Sequence, residues 1–178
     1  MILLISINKI SFHYYEFVKP VEDILRRNNI CFQTTQYNDI NQKILDKADK
    51  IIICGTSLKD NSFVEEITKF EWLKKFDKPV LGICGGMHLL GLVFNGELRK
   101  AQEIGLKTIK YKKEFFGFKD DIEVYELHNY YAKSEEFEVI AESEKCIQAV
   151  KHKHKPFYAV LFHPEVRNKK LIENFAKN

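Results

Sequence analysis

The sequence predicts an α/β fold in which a central, mostly parallel sheet carries helices on both faces and antiparallel strands at its edge. Three observations predict it. Apolar runs of strand length alternate with helix-period patterns through the first half of the chain; one of those runs stops at a glycine-flanked cysteine and restarts as a helix; and after Asn95-Gly96 the pattern changes to a series of short strands.

In chain order, Ile2 to Ile7 is an apolar first strand, and Phe17, Val18, Val21, Ile24 and Leu25 fall at helical spacing behind it. Ile30 to Thr35, Lys50 to Cys54 and Pro79 to Ile83 supply the next strands, with Ile67, Phe70 and Leu73 marking a helix between the last two. A third helix starts near Gly85 and stops at Asn95-Gly96. Ile104 to Tyr111, Ile122 to Leu127, Phe137 to Ala141, Ile147 to Lys151 and Tyr158 to Phe162 then read as short strands, some of them paired as antiparallel hairpins. Leu171, Ile172 and Phe175, at helical spacing within Arg167 to Ala176, close the domain. No repeat, low-complexity tract or linker interrupts residues 1–178, so one domain is expected.

The 178 residues are 45% hydrophobic and 13% aromatic, enough for one enzyme-sized core. Lys and Arg (28) nearly balance Asp and Glu (25), and Lys151-His152-Lys153-His154-Lys155 is too short and too poor in aromatics to indicate nucleic-acid binding. Cys31, Cys54, Cys84 and Cys146 are irregularly spaced, as in reduced proteins, and no run has membrane length. A cytoplasmic protein with no membrane or nucleic-acid partner is expected. No nucleotide-binding fingerprint and no cofactor motif is present.

The chemistry is concentrated in two runs. Gly82-Ile83-Cys84-Gly85-Gly86 has the form of a nucleophile elbow with sulfur as nucleophile, and 79 residues on, Phe162-His163-Pro164-Glu165 offers a base and an orienting carboxylate. A helix N-terminus behind Cys84 favours the thiolate. His163, held extended by Pro164, would take the thiol proton, and Glu165 would fix its tautomer. The N–H of Gly85 is an oxyanion donor, with a second from the Gly55-Thr56 turn. The implied reaction is acyl transfer through a thioester.

These runs, with Cys54-Gly55-Thr56-Ser57, resemble those of class I glutamine amidotransferases in order and spacing across essentially the whole chain. The tail, Pro156 to Val166 with Asn174-Phe175, is similar to that of the glutaminase subunits of archaeal-type GMP synthases. The resemblance implies a flavodoxin-like three-layer fold, a Cys84-His163-Glu165 triad and glutamine as substrate. It also implies ammonia delivered to a separate, ATP-using synthetase, and substrate contacts at Gly86, His88, His128 and Asn129. Where the family usually has glutamine four residues after the nucleophile, this chain has His88; Thr56 replaces a usual glycine, and Leu127-His128-Asn129-Tyr130 replaces Ser-His-x-Asp.

Two other readings stay open: a stand-alone cysteine hydrolase of γ-glutamyl substrates, and a binding or regulatory module that has lost turnover. Cys84 and His88, one helical turn apart, are too few for a metal site, so none is expected. Cys54, Cys31 and Cys146 read as structural thiols, and His128 either touches the bound amino acid or simply packs.

Overall fold

The structure, a computed structural model, describes residues 1–178. Its strands are β1 (Ile2–Ser6), β2 (Phe32–Gln36), β3 (Lys50–Ile53), β4 (Val80–Ile83), β5 (Glu97–Tyr111), β6 (Ile122–Lys133), β7 (Phe137–Glu142), β8 (Ile147–His152) and β9 (Phe157–Val160). The α-helices are α1 (Lys19–Arg27), α2 (Gln42–Lys47), α3 (Ser62–Glu65), α4 (Gly85–Val93) and α5 (Lys170–Lys177). A π-helical turn, Tyr14–Val18, leads into α1, and the helix predicted from Ile67, Phe70 and Leu73 is a 3₁₀ helix, Ile67–Lys75.

All nine strands form one sheet in the order β2-β1-β3-β4-β9-β8-β7-β5-β6. The expected predominance of parallel pairing is corrected here. Four neighbouring pairs are parallel and four antiparallel, so the sheet is mixed through half its width. The reason is the length of the connections. A parallel pair needs a crossover of a dozen or more residues, whereas no helix intervenes between Gly96 and α5 and the short turns there reverse the chain. The β5–β6 hairpin is also longer than its apolar runs predict, because its outer ends pair as an exposed ribbon, Glu97 with Lys133 and Lys100 with Tyr130.

Strand alternation divides the core into two apolar layers. Leu3, Ile5, Ile51 and Ile53 face Phe63, Phe70, Leu73, Leu89 and Leu90 on one side. Ile2, Leu4 and Ile52 face Val21, Ile24, Leu25, Leu171, Ile172 and Phe175 on the other. Because β1, β3 and β4 are covered on both faces, each is buried almost along its whole length, which is why they read as unbroken apolar runs. In register, Ile53 lies opposite Gly82, which lies opposite Ala159. The carboxyl ends of β3, β4 and β9 therefore finish side by side, and the site is built there.

Candidate active site

Cys84 caps α4 with φ 48° and ψ −101°, a conformation that costs an ordinary residue about 1–3 kcal/mol and must be imposed by its surroundings. The surroundings are tight. Its N–H donates to Val160 O at 2.8 Å, and its carbonyl accepts from Met87 and His88 N–H, closing the first turn of α4. A Cβ on Gly82 would stand 2.7 Å from the Gly86 carbonyl, and one on Gly86 would stand 2.5 Å from Ile53 O. The two glycines are thus required by the close crossing of strand and helix. The Gly85 and Gly86 N–H groups, first in α4, have no intrahelical acceptor and lie where the helix favours negative charge.

His163 follows β9 and is 1% exposed. Its N–H donates to Tyr125 O, and its Nδ1 lies 2.7 Å from Glu165 Oε1, itself buried. With Nδ1–H donated to the carboxylate, Nε2 is the free nitrogen, and no other group hydrogen-bonds it. Burial disfavours a charged ring, yet the Glu165 carboxylate and the Cys84 sulfur outweigh it, and the His163 pKa is raised well above the ordinary value. The arrangement can hold an imidazolium beside the Cys84 sulfur. Phe17 packs on the imidazole at a centroid distance of 5.4 Å, and Gly55 is so close that an added Cβ would lie 2.9 Å from His163 Cε1.

The Gly55-Thr56 turn follows β3 directly beside the elbow. The Thr56 methyl packs where a Cβ on Gly85 would stand, 2.9 Å away, and its hydroxyl donates to Asp60 O. Asp60, buried, accepts from the N–H groups of Lys9 and Ile10 and meets His13 Nδ1, so the turn is fastened to the segment after β1. Sequence reasoning missed both Asp60 and Phe17. Phe17 was visible only as part of a helical stripe, and Asp60 lies in a polar loop without a motif.

A narrow cleft of about 20 Å³ opens over the sulfur, lined by Thr56, Ser57, Leu58, Asn61, Cys84, Gly85, His88 and Leu127 to Tyr130. It contains most of the expected site residues, but their side chains are used in different ways. His88 Nε2 donates to Tyr130 O at 2.8 Å, and burial lowers its pKa to about 4, so the ring is neutral and ties α4 to β6. His128 borders the cleft with its ring turned inward, Nδ1 donating to Ala101 O and Nε2 facing Glu126. Asn129 Oδ1 accepts from Gln102. Gly86 is taken up by packing against Ile53. Behind His163 a second cavity of about 620 Å³ is lined by Ile10, His13, Phe17, Tyr125, Leu127, Glu165 and Val166. No helix is long and apolar enough to cross a membrane.

Comparison with known proteins matches the chain over residues 13–178 to the family model described as glutamine amidotransferase class-I. The glutamine-hydrolysing GMP synthase subunit of Methanosphaera stadtmanae is 30% identical, covering 98% of this chain and 96% of that protein. The subunit of the same name from Pyrococcus abyssi is 35% identical over 84% of each. Among solved structures, a putative GMP synthase subunit from Thermoplasma acidophilum superposes with a TM-score of 0.85 at 23% identity, covering 98% of this chain and 91% of that one. A glutamine amidotransferase from Thermotoga maritima superposes at 0.73, covering 98% and 82%, with 20% identity. These two show the shared fold. With an elbow cysteine, a buried His–Glu pair and a family match spanning both, the chain belongs to the class-I glutamine amidotransferase family.

Proposed function

We propose that this chain is the glutaminase subunit of a two-chain amidotransferase, acting through Cys84, His163 and Glu165. Cys84 Sγ attacks the side-chain carboxamide carbon of glutamine, and the oxyanion is received by the N–H groups of Gly85 and of the Gly55-Thr56 turn. The His163 imidazolium gives its proton to the leaving nitrogen as the C–N bond breaks, releasing ammonia and leaving a γ-glutamyl thioester. Water, deprotonated by His163, then adds to the thioester and expels the Cys84 thiolate with glutamate.

The observation that carries this reading is the buried His163–Glu165 pair, whose remaining ring nitrogen has no partner but the nearby nucleophile. Gly86, His88, His128 and Asn129 would border the amino-acid part of the substrate through backbone and remaining polar atoms. The parallel strands β2-β1-β3-β4-β9 support a flavodoxin-like layout with the site at their carboxyl ends. The names of the relatives, subunits of glutamine-hydrolysing GMP synthases, support a separate synthetase partner that receives ammonia for GMP synthesis; the same proposal assigns ATP use to that partner, in a cytoplasmic assembly without nucleic acid. One domain over residues 1–178 fits the sheet and the two shared apolar layers.

The test is covalent labelling of Cys84 by a glutamine-analogue diazoketone, with Cys84→Ser as control, together with ammonia release from glutamine. Labelling and release are expected, release rising when the synthetase and its nucleotide substrates are present. If neither occurs with the synthetase present, the reading fails.

A further inference from the structure

Outside the triad, a second cluster of reactive side chains lies buried between β5, β6 and the β7–β8 turn. Glu103, Glu126, His128 and Cys146 are each at most 8% exposed, and ligand atoms of Glu103, His128 and Cys146 all lie within 4.8 Å of one another. His128 Nε2 is 3.7 Å from Glu103 Oε2 and 3.2 Å from Glu126 Oε2, and Cys146 Sγ is 3.4 Å from Glu103 Oε2. We propose that Glu103, His128 and Cys146, with Glu126 beside them, form a structural site for a zinc-like divalent cation.

The distances fit. With metal bonds of about 2.0 Å to nitrogen or oxygen and about 2.3 Å to sulfur, a tetrahedral site has edges of about 3.3 Å between N and O and about 3.5 Å between S and O. The orphaned atoms are an independent sign of a cation. His128 Nε2 and both carboxylate oxygens of Glu126 are buried without a hydrogen-bond partner, so three potential donors converge unpaired where water does not reach. Nδ1–H of His128 is donated to Ala101 O at 3.0 Å, which turns Nε2 inward, the usual support of a ligating histidine. Ser143 Oγ and Gln148 Nε2 donate to Glu103 Oε2 and orient that carboxylate.

The donor set of nitrogen, sulfur and carboxylate favours zinc over magnesium or calcium. A surface groove of about 700 Å³, lined by Glu103 and Ser143, gives the ion a way in. The bound ion would join β5, β6 and the β7–β8 turn behind the strand whose Tyr125 carbonyl holds His163.

The test uses the full chain, stripped with a chelator and titrated with Zn2+ by equilibrium dialysis. About one equivalent is expected to bind, with a rise in thermal midpoint that magnesium does not reproduce. Co2+ in its place should give a thiolate-to-cobalt absorption that survives in Cys84→Ser and disappears in Cys146→Ser. Should Cys146→Ser fail to fold, X-ray absorption on zinc-loaded wild-type protein decides, one sulfur at about 2.3 Å being expected. No stoichiometric binding, an all-oxygen and nitrogen shell, or a band lost in Cys84→Ser and kept in Cys146→Ser would overturn the proposal. These outcomes are independent of whether glutamine is hydrolysed.

Discussion

The two halves of the sheet are built on different terms. In the parallel half, β1, β3, β4 and β9, the strands are almost wholly buried and apolar, while in the antiparallel half β5 alternates between exposed and covered residues along 15 positions. The nucleophile and the base both stand at strand ends of the parallel half. The other half meets the triad only through main-chain carbonyls, Tyr125 O to the His163 N–H and Leu127 O at 3.7 Å from the Cys84 sulfur. Burial on two faces supplies the stiffness that a strained cysteine needs. The antiparallel half buries a polar cluster of its own, at Glu103, Glu126 and His128, apart from the His163–Glu165 pair.

That division can be broken from either side. The largest effect is expected from Cys84→Ser, which should reduce ammonia release by about 10⁴-fold or more while leaving the unfolding transition in place. Next, Glu165→Gln should lower kcat by about 10³- to 10⁴-fold, because the amide no longer holds His163 in its tautomer or balances its charge. Wild-type turnover in that variant would remove Glu165 from the mechanism. Gly55→Ala drives a methyl toward His163 Cε1, and displacing the base should cost about 10²-fold in kcat.

In contrast, Gly91→Ala forces a Cβ to within 2.4 Å of Ala132 Cβ on β6, away from the sulfur. It should cost about 1–3 kcal/mol in urea unfolding and leave kcat near wild type. A Gly91 variant that loses turnover at full stability would show that β6 is catalytically coupled after all.

Two of the buried histidines, His88 and His163, should give opposite pH dependence. The His88 pKa of about 4 lies below its unfolded value of about 6.5, so its contribution to stability is complete above pH 6.5 and is lost as pH falls toward 4. The difference corresponds to about 3 kcal/mol. His88→Gln, which can still donate to Tyr130 O, should flatten that acid limb in a series of denaturation curves. His163 is raised, so its contribution is complete below about 6.5 and is lost as pH climbs through the folded value.

The same division explains what the sequence disclosed. The parallel half was legible because burial on both faces writes unbroken apolar runs, and because the elbow needs glycines at fixed offsets around Cys84. His163 and Glu165 were legible because they are adjacent in sequence and the proline between them restricts the backbone. The antiparallel half was underestimated. Its ribbon mixes charged residues with tyrosines and small apolar ones and has no unbroken apolar run, and pairing between β7, β8 and β9 is decided by turn lengths. Within the site, His88 and His128 looked available for substrate by position alone. Only the packing of α4 and β5 against β6 shows that Tyr130 and Ala101 each hold one of their ring nitrogens and that His128 Nε2 faces inward. Glu103, Glu126, His128 and Cys146 come from separate elements, so no spacing rule unites them.

The narrowness of the cleft over Cys84 also sets that thiol apart from Cys31 and Cys54 in how it meets reagents. Cys31 is exposed and takes the first encounter with any general alkylating agent, although it has no role in the triad. Cys54 is fully enclosed, and burial raises its pKa well above the ordinary thiol value, so it stays silent. Cys84, 3% exposed, is reached only by a molecule slender enough to enter where the carboxamide would go. Total thiol titration would therefore report the idle cysteine, whereas a warhead borne on a glutamine-sized chain selects the nucleophile by shape.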